Sequence, residues 1–397
     1  MQVLRGRNPL DGTAIEVSFE DDLITQIRQV SHEERGWISA GLIDLQVNGY
    51  GGEDINAEDV SAETVLRFTE KMLATGVTTF LPTVITSSEA KITKALRAIA
   101  DARRRSSVAA SAIPYVHVEG PHISPVDGYR GAHPLDHVRK PNLDEFARWQ
   151  EVSGGLVGMI TLSPHSPEAA EYIAAVTGQG VVVALGHTDA SSDEIRKAVD
   201  AGAKLSTHLG NGTPALLPRH SNVVWTQLAE DRLSATLIAD GQHIPADALK
   251  VMVRAKGVQR SILVSDAVSV AGNPPGVYET AVGGLVELHE SGRLSLAGTE
   301  YLAGAVLPLK DGVVHMCSMT GVTLAQALAM ATVNPGRFVG GRGVLEVGAR
   351  ADLIRFTVNV KPPRALIHQV PVIQFRENLI DECWYGQSIP TDSDNVK

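Results

Sequence analysis

The chain has only two cysteines in 397 residues. Cys317 and Cys383 stand far apart and form no Cys-x-x-Cys pair, which argues against a disulfide framework or a cysteine-ligated zinc site and fits a reducing compartment. Positive charge is also short: 35 Lys and Arg face 45 Asp and Glu, a formal net charge of −10, with no basic stripe. Proteins that grip nucleic acid or anionic membrane usually carry such a stripe, so neither partner is expected. No apolar run approaches the ~18 residues of a membrane span, and the first ten residues (MQVLRGRNPL) lack the apolar core of a secretory signal, so a cytoplasmic location is expected. What the chain does have is hydrophobic material, 44% of its residues, enough to fill one barrel of ~250 residues beside a smaller unit.

Eight short apolar runs follow one another through the middle of the sequence, at 42–48, 78–84, 113–119, 156–162, 181–187, 204–208, 234–239 and 261–266. Nearly continuous apolar strands are those buried on both faces, as in a parallel sheet. Between them lie stretches of helical spacing. In 61–75, Val65, Phe68 and Met72 share a face and Ser61 stands where an N-cap belongs. Strand and helix in alternation imply right-handed parallel crossovers, and eight such units close into an α/β barrel of the (β/α)8 type; an open doubly wound sheet is the rival. The ends differ. Alternating runs at 14–19, 23–27, 351–356 and 365–375 read as antiparallel strands, and since isolated hairpins are marginal in water the two ends are expected to join in one small β-sandwich. The domains expected are 1–40 and 343–397 for the β unit and 41–342 for the barrel, with a loose polar tail at 391–397.

Five of the apolar runs end in chemistry: Glu119, His187, His208, Asp266, and Asp240 leading to His243. A parallel barrel gathers its active site at the C-terminal tips of its strands. Catalytic zinc commonly takes three ligands from His and Asp or Glu and keeps a place for water, a set that Glu119, His187 and His208 supply. Taken singly, each of the 13 histidines is more ordinary than this; it is their shared position on strand tips that singles two of them out. Asp266 closes a run of apolar and small residues, where a carboxylate needs a partner, water or a function. Beside a metal-activated water it would take a proton and later give it to a leaving group; alone, it would be read as a turn or N-cap residue. His117, two residues before Glu119, reads as a core or supporting group, and Asp44 as a buried partner. In Thr207-His208-Leu209-Gly210-Asn211-Gly212-Thr213-Pro214 the glycines flanking Asn211 let backbone N–H groups approach an anion or carbonyl. Arg219 and His243 could grip a phosphate there, although a loop arginine is usually a solvated charge.

These residues carry a resemblance. The chain resembles the amidohydrolase superfamily and, within it, the N-acetylglucosamine-6-phosphate deacetylases, through Gly41-Leu42-Ile43-Asp44-Leu45-Gln46-Val47-Asn48-Gly49, Glu119-Gly120-Pro121, Gly131-Ala132-His133-Pro134, Gly186-His187-Thr188, Thr207-His208-Leu209 with Asn211, Ile238-Ala239-Asp240-Gly241 with His243, and Val264-Ser265-Asp266-Ala267. The segment Gly348-Ala349-Arg350-Ala351-Asp352-Leu353 matches the return into the terminal β unit. The resemblance implies a metal on Glu119, His187 and His208, Asp266 as general base and then acid, and a sugar phosphate met by Asn211, Gly212, Arg219 and His243, with His133 near the substrate. It further implies a homodimer in which some groups reach in from the neighbouring subunit.

Departures are equally informative. Many members of the superfamily carry His-x-His at the end of strand one and hold two metals, whereas Gln46 and Asn48 stand here, and neutral amides are poor zinc ligands. One divalent ion, zinc by donor chemistry, is therefore expected. Strand four ends in Leu162-Ser163-Pro164-His165, with no lysine to carboxylate. Gly210 and Gly212 replace the bulkier residue and alanine usual at these places, and a more open pocket is expected. Two other readings stay in play: an amidohydrolase acting on an unphosphorylated N-acyl compound, and a non-catalytic scaffold that kept the barrel.

Overall fold

The computed structural model describes residues 1–31, 36–281, 284–300, 302–357, 359–361, 372–374 and 380–384. The eight expected runs all contain strands: β1 (Leu42–Val47), β2 (Val77–Ile85), β3 (Val116–Glu119), β4 (Val157–Leu162), β5 (Val182–Leu185), β6 (Leu205–Ser206), β7 (Ser234–Leu237) and β8 (Ser261–Leu263). They lie side by side in chain order in one parallel sheet. Backbone bonds close its seam, from Asp266 N–H to the Gln46 carbonyl at 2.9 Å and from Asn48 N–H to the Ala267 carbonyl at 2.8 Å. The crossovers are α1 (Ala62–Ala74), α2 (Glu89–Arg105), α3 (Leu143–Ser153), α4 (Ala169–Thr177), α5 (Ser192–Asp200), α6 (Val223–Ala229) and α7 (Ala246–Lys256), with α8 (Leu309–Thr320) after β8. This is the (β/α)8 barrel. Among the described residues no helix is long and apolar enough to cross a membrane.

The helices form where the sequence spacing places them. In α1 the Ser61 hydroxyl accepts the Thr64 N–H, and Val65, Phe68 and Met72 turn inward to the sheet. Phe68 meets Phe80 of β2 edge to face, ring centres 5.2 Å apart. Ile43, Leu81, Met159, Ala184, Leu205 and Ile262, from six different strands, form an inner cluster of the barrel, as side chains rather than solvent fill such a core.

Both chain ends build one small β unit. Its six-stranded sheet runs in the order Ile380–Trp384, Leu353–Phe356, Trp37–Ala40, Gln2–Arg7, Ala14–Glu20, Leu23–Gln29. Leu4, Ile15, Val17, Phe19, Ile24, Ile38, Ala351 and Leu353 fill its core, and a two-stranded ribbon pairs Asn359–Lys361 with Val372–Gln374. Of the segment 365–375 only that last strand is described; the rest of it and the tail 391–397 lie outside the described residues.

One element was not foreseen. Between β8 and α8 lies a three-stranded antiparallel sheet, Gly276–Thr280, Gly284–Leu288 and Leu294–Leu296, on a small core of Val270, Val286, Leu288, Leu294 and Ala303. Its signal was in the sequence, as alternating apolar residues around a glycine turn. At its hairpin tip Ala281 lines a cavity of about 480 Å³ together with Asn56, Thr86, Ala132 and Pro134, so the insertion reaches from β8 to the β2 side of the barrel mouth.

Phe68→Ala removes a fully buried ring between α1 and β2. It is expected to lower the unfolding free energy by about 3–5 kcal/mol in a denaturant titration. A change under about 1 kcal/mol would mean that the α1–β2 contact contributes little to the fold.

Candidate metal centre

The expected runs ended at His187, His208 and Asp266, but β5, β6 and β8 stop two or three residues earlier. The backbone explains it. Those three residues have φ of +48°, +29° and +47°, in the left-handed region where a strand cannot continue. Among described non-glycine residues only Asp21 and Asp22 share that conformation. Such geometry costs of order 1–3 kcal/mol per residue and persists where neighbours fix it. Thr236 of β7 does so for His208: its hydroxyl accepts the His208 N–H at 2.7 Å, and its carbonyl accepts the Leu209 N–H at 2.9 Å.

The tips converge on Glu119, buried at the end of β3. Its Oε1 lies 3.0 Å from His208 Nε2 and 3.4 Å from His187 Nε2, and the two imidazole nitrogens are 3.1 Å apart. His187 Nδ1 donates to the Tyr129 carbonyl at 3.0 Å, which leaves the Nε2 lone pair facing the cluster. Three electron-rich atoms at such spacing repel unless a proton or cation lies among them. A tetrahedral ion with bonds of about 2.0–2.1 Å holds its ligands about 3.3–3.4 Å apart. Glu119, His187 and His208 therefore fit a divalent metal in both donor chemistry and spacing.

His133 comes closer than a substrate contact alone requires. Its Nε2 is 3.2 Å from His187 Nε2, and ligand atoms of Glu119, His133 and His187 all lie within 4.8 Å of one another. Two triads thus overlap. We favour the one with His208, because His208 meets both Glu119 and His187 directly, whereas His133 meets the cluster through His187. Burial, with the His187 charge adding to it, pushes His133 down to about 3, so it stands neutral at the rim.

Gln46 of β1 and Asn48 just after it gain positive roles that their reading as non-ligands missed. Gln46 Nε2 donates to Glu119 Oε1 at 2.9 Å, and Asn48 Nδ2 donates to Asp266 Oδ1 at 2.8 Å. Alternate spacing on the first strand was the available signal. Burial, then the Glu119 charge, pushes Asp266 up to about 6 against the opposing pull of His208, Asn48 and His243, so it is ionised at neutral pH yet able to carry a proton. Burial would raise Glu119 too, but hydrogen bonds and charge from His187 and His208 outweigh it and hold the carboxyl well below its usual range. His117 lies deeper, bonded to the Leu45 carbonyl and the Thr161 hydroxyl, and burial takes it down to about 4. It is a core group.

The remaining expected residues divide. Asn211 folds back on the His208 carbonyl, 2.9 Å from its N–H. His243 is held by Asp240, Nδ1 to Oδ2 at 2.6 Å, near enough to Asp266 to favour its charged form. Arg219 is exposed and joins nothing in this cluster. The glycines do not open the pocket as expected. A Cβ on Gly212 would sit 2.8 Å from His187 Nδ1 and one on Gly210 2.8 Å from Met252 Cε. Both have positive φ, and their bareness is used for close approach rather than left as space.

Residues 37–376 match the model of the amidohydrolase family. The chain belongs to the amidohydrolase family. This amidohydrolase is 31% identical over 349 residues to an N-acetylglucosamine-6-phosphate deacetylase of Bacillus subtilis, covering 87% of this chain and 86% of that one. It is 32% identical to an N-acetylgalactosamine-6-phosphate deacetylase of Escherichia coli, covering 82% and 85%. A structure of N-acetyl-D-glucosamine-6-phosphate deacetylase from Mycobacterium smegmatis in complex with N-acetyl-D-glucosamine-6-phosphate is similar with a TM-score of 0.79 at 26% identity, over 90% of this chain and 95% of that one.

A pH dependence follows from the cluster. Burial disfavours charge on His208, but the Glu119 hydrogen bond and charge outweigh it and raise its pKa above 6.5. The proton is thus bound below that raised value and leaves above it, and a metal must displace it. Metal affinity, measured by chelator competition, is expected to strengthen as pH rises through neutrality. In Glu119→Gln it should be weak at every pH. An affinity that is flat from pH 6 to 8 would place the metal elsewhere.

Proposed function

We propose that this amidohydrolase removes the acetyl group from an N-acetyl hexosamine 6-phosphate, N-acetylglucosamine 6-phosphate foremost, giving the amino sugar phosphate and acetate. The observation that carries this reading is the convergence of Glu119, His187 and His208 with a proton-carrying Asp266 at one barrel mouth. The kinship with deacetylases of two hexosamine 6-phosphates supports the substrate class. Glu119, His187 and His208 would hold one divalent ion, zinc by donor chemistry, with Gln46 and Asn48 in place of a second ligand pair. That ion would supply a Lewis acid for the acetamide carbonyl and the attacking water.

The chain's own residues do the rest. Asn48 occupies Oδ1 of Asp266, so Oδ2 is the oxygen that takes the proton of the attacking water and returns it to the departing amine. Gln46 keeps the Glu119 carboxylate in place. Asp240 fixes the His243 ring with Nε2 outward, and we assign His243, Asn211, Gly212 and His133 to the sugar phosphate. Arg219 projects from the surface, and we assign it to the phosphate in the site of a neighbouring subunit of a homodimer. Cytoplasmic work suits a chain whose Cys317 is a free, buried thiol.

Asp266→Asn keeps shape but cannot accept the proton. Its kcat should fall by about 10² or more while elemental analysis still finds about one divalent ion per chain. Near-normal turnover would remove Asp266 from the mechanism.

The substrate is tested by a screen of N-acetylated sugars, with and without a 6-phosphate, for release of free amine. A charge-assisted phosphate contact should raise kcat/KM for the phosphorylated sugar roughly tenfold to a hundredfold, and Arg219→Ala should erase most of that preference. Equal rates on both sugars would favour an unphosphorylated N-acyl substrate. Mixing Arg219→Ala with Asp266→Asn chains should restore activity in hybrid dimers; no recovery despite proven exchange would place the arginine in its own chain's site.

A further inference from the structure

Asp44 is wholly buried in β1 and takes no part in the chemistry above. Its carboxylate reaches across the seam where the barrel closes. Oδ2 accepts the Ser265 hydroxyl at 2.5 Å, and Oδ1 accepts the Ser265 N–H at 3.2 Å and the Gln46 N–H at 3.3 Å. The Ser265 hydroxyl oxygen in turn accepts the Ala267 N–H at 3.2 Å. Between those two residues stands Asp266, in the left-handed conformation with φ of +47°. Two further bonds tie the same turn to β1, from Asp266 N–H to the Gln46 carbonyl and from Asn48 N–H to the Ala267 carbonyl. Burial pushes Asp44 up to about 7, and the Ser265 and Gln46 donors oppose that rise and favour its charge.

A turn in a sparsely populated conformation stays there only if its surroundings over-determine it. At β8 those surroundings are β1 and the residues just after it: Asn48 holds the Asp266 carboxylate itself, and Asp44 is the side chain that holds the backbone of the turn through Ser265. We propose that Asp44 is a positioning residue, which through Ser265 fixes the turn at the tip of β8 and so aims the Asp266 carboxylate. The inference rests on the reading of Asp266 as the proton carrier. Loosening the turn misplaces that carboxylate by a fraction of an ångström to an ångström, enough to slow proton transfer. Substrate binding relies on other residues and is spared.

The variants Ser265→Ala and Asp44→Asn, with Ser265→Thr as the conservative change, are compared in steady-state deacetylation of N-acetylglucosamine 6-phosphate, per folded and metal-loaded chain. Ser265→Ala and Asp44→Asn should lower kcat about tenfold with KM within twofold and metal content unchanged, and the solvent deuterium isotope effect on kcat should grow. Ser265→Thr, which keeps the hydroxyl, should recover most of kcat. The double variant should be no worse than the singles, because both break one link. If Asp44→Asn does not fold, Ser265→Ala against Ser265→Thr decides alone. A Ser265→Ala protein with a lower unfolding midpoint but unchanged kcat and isotope effect overturns the proposal, leaving the pair as packing only. Asp266→Asn is run in parallel: if it keeps full turnover the proton-carrier reading falls and this inference with it, whereas an inactive Asp266→Asn beside a normal Ser265→Ala sinks only the positioning role of Asp44 and Ser265.

Discussion

The Glu119 carboxylate is almost wholly removed from water, 3% exposed, at the tip of a strand in the barrel interior. An isolated charge there would be very costly, and the mouth of the barrel is arranged around neutralising it. One oxygen alone receives the Gln46 amide and faces His208 and His187. The same negative charge helps to hold Asp266 near the range where it can exchange a proton. Removing the carboxylate would therefore do more than delete a candidate ligand: it would change the protonation of a histidine on one side and of an aspartate on the other.

The site is also a set of controlled interruptions. A strand aims successive side chains to alternate faces, and a residue that must look across the mouth needs its backbone turned out of that alternation. His187, His208 and Asp266 each achieve this by crossing to positive φ. The bonds that hold them are made with other segments: the Thr236 hydroxyl accepts the His208 N–H, the Gln46 carbonyl of β1 accepts the Asp266 N–H, and the Ser124 N–H donates to the His187 carbonyl. Each strained tip thus borrows its geometry from beyond its own strand, and the closed barrel supplies such partners all the way round.

Much of this was legible beforehand. Repeated apolar runs of strand length with helical spacing between them define the barrel, because burial on both faces leaves a continuous signature; the polar residues ending those runs mark the mouth. Strand ends were less legible, since nothing in the order of residues shows that His187, His208 and Asp266 adopt left-handed backbone. Gln46 and Asn48 could be read as poor ligands but not as donors to Glu119 and Asp266, because each partner is distant in the chain and only closure brings it near. For the same reason the glycines at 210 and 212 suggested room, when Met252 and His187 fill it. The sheet after β8 carries an alternating apolar pattern about a glycine turn, but its strands are short and include glycine and glutamate, so the pattern is fainter than that of the barrel runs.

The small β unit has a bearing on how the protein is made. Its strand Trp37–Ala40 touches Gln2–Arg7 at one residue pair and pairs along its whole length with Leu353–Phe356. A chain growing from its N-terminus can form the meander of 2–29 at once, but the partner of Trp37–Ala40 does not exist until residue 353 has been synthesised. Throughout that interval an apolar strand next to β1 has an open edge, the feature through which nascent or truncated chains associate with one another. Leu353–Phe356 acts as a latch on Trp37–Ala40, so chains cut short before residue 353 would be prone to aggregation even though every residue of the candidate metal centre is present in them.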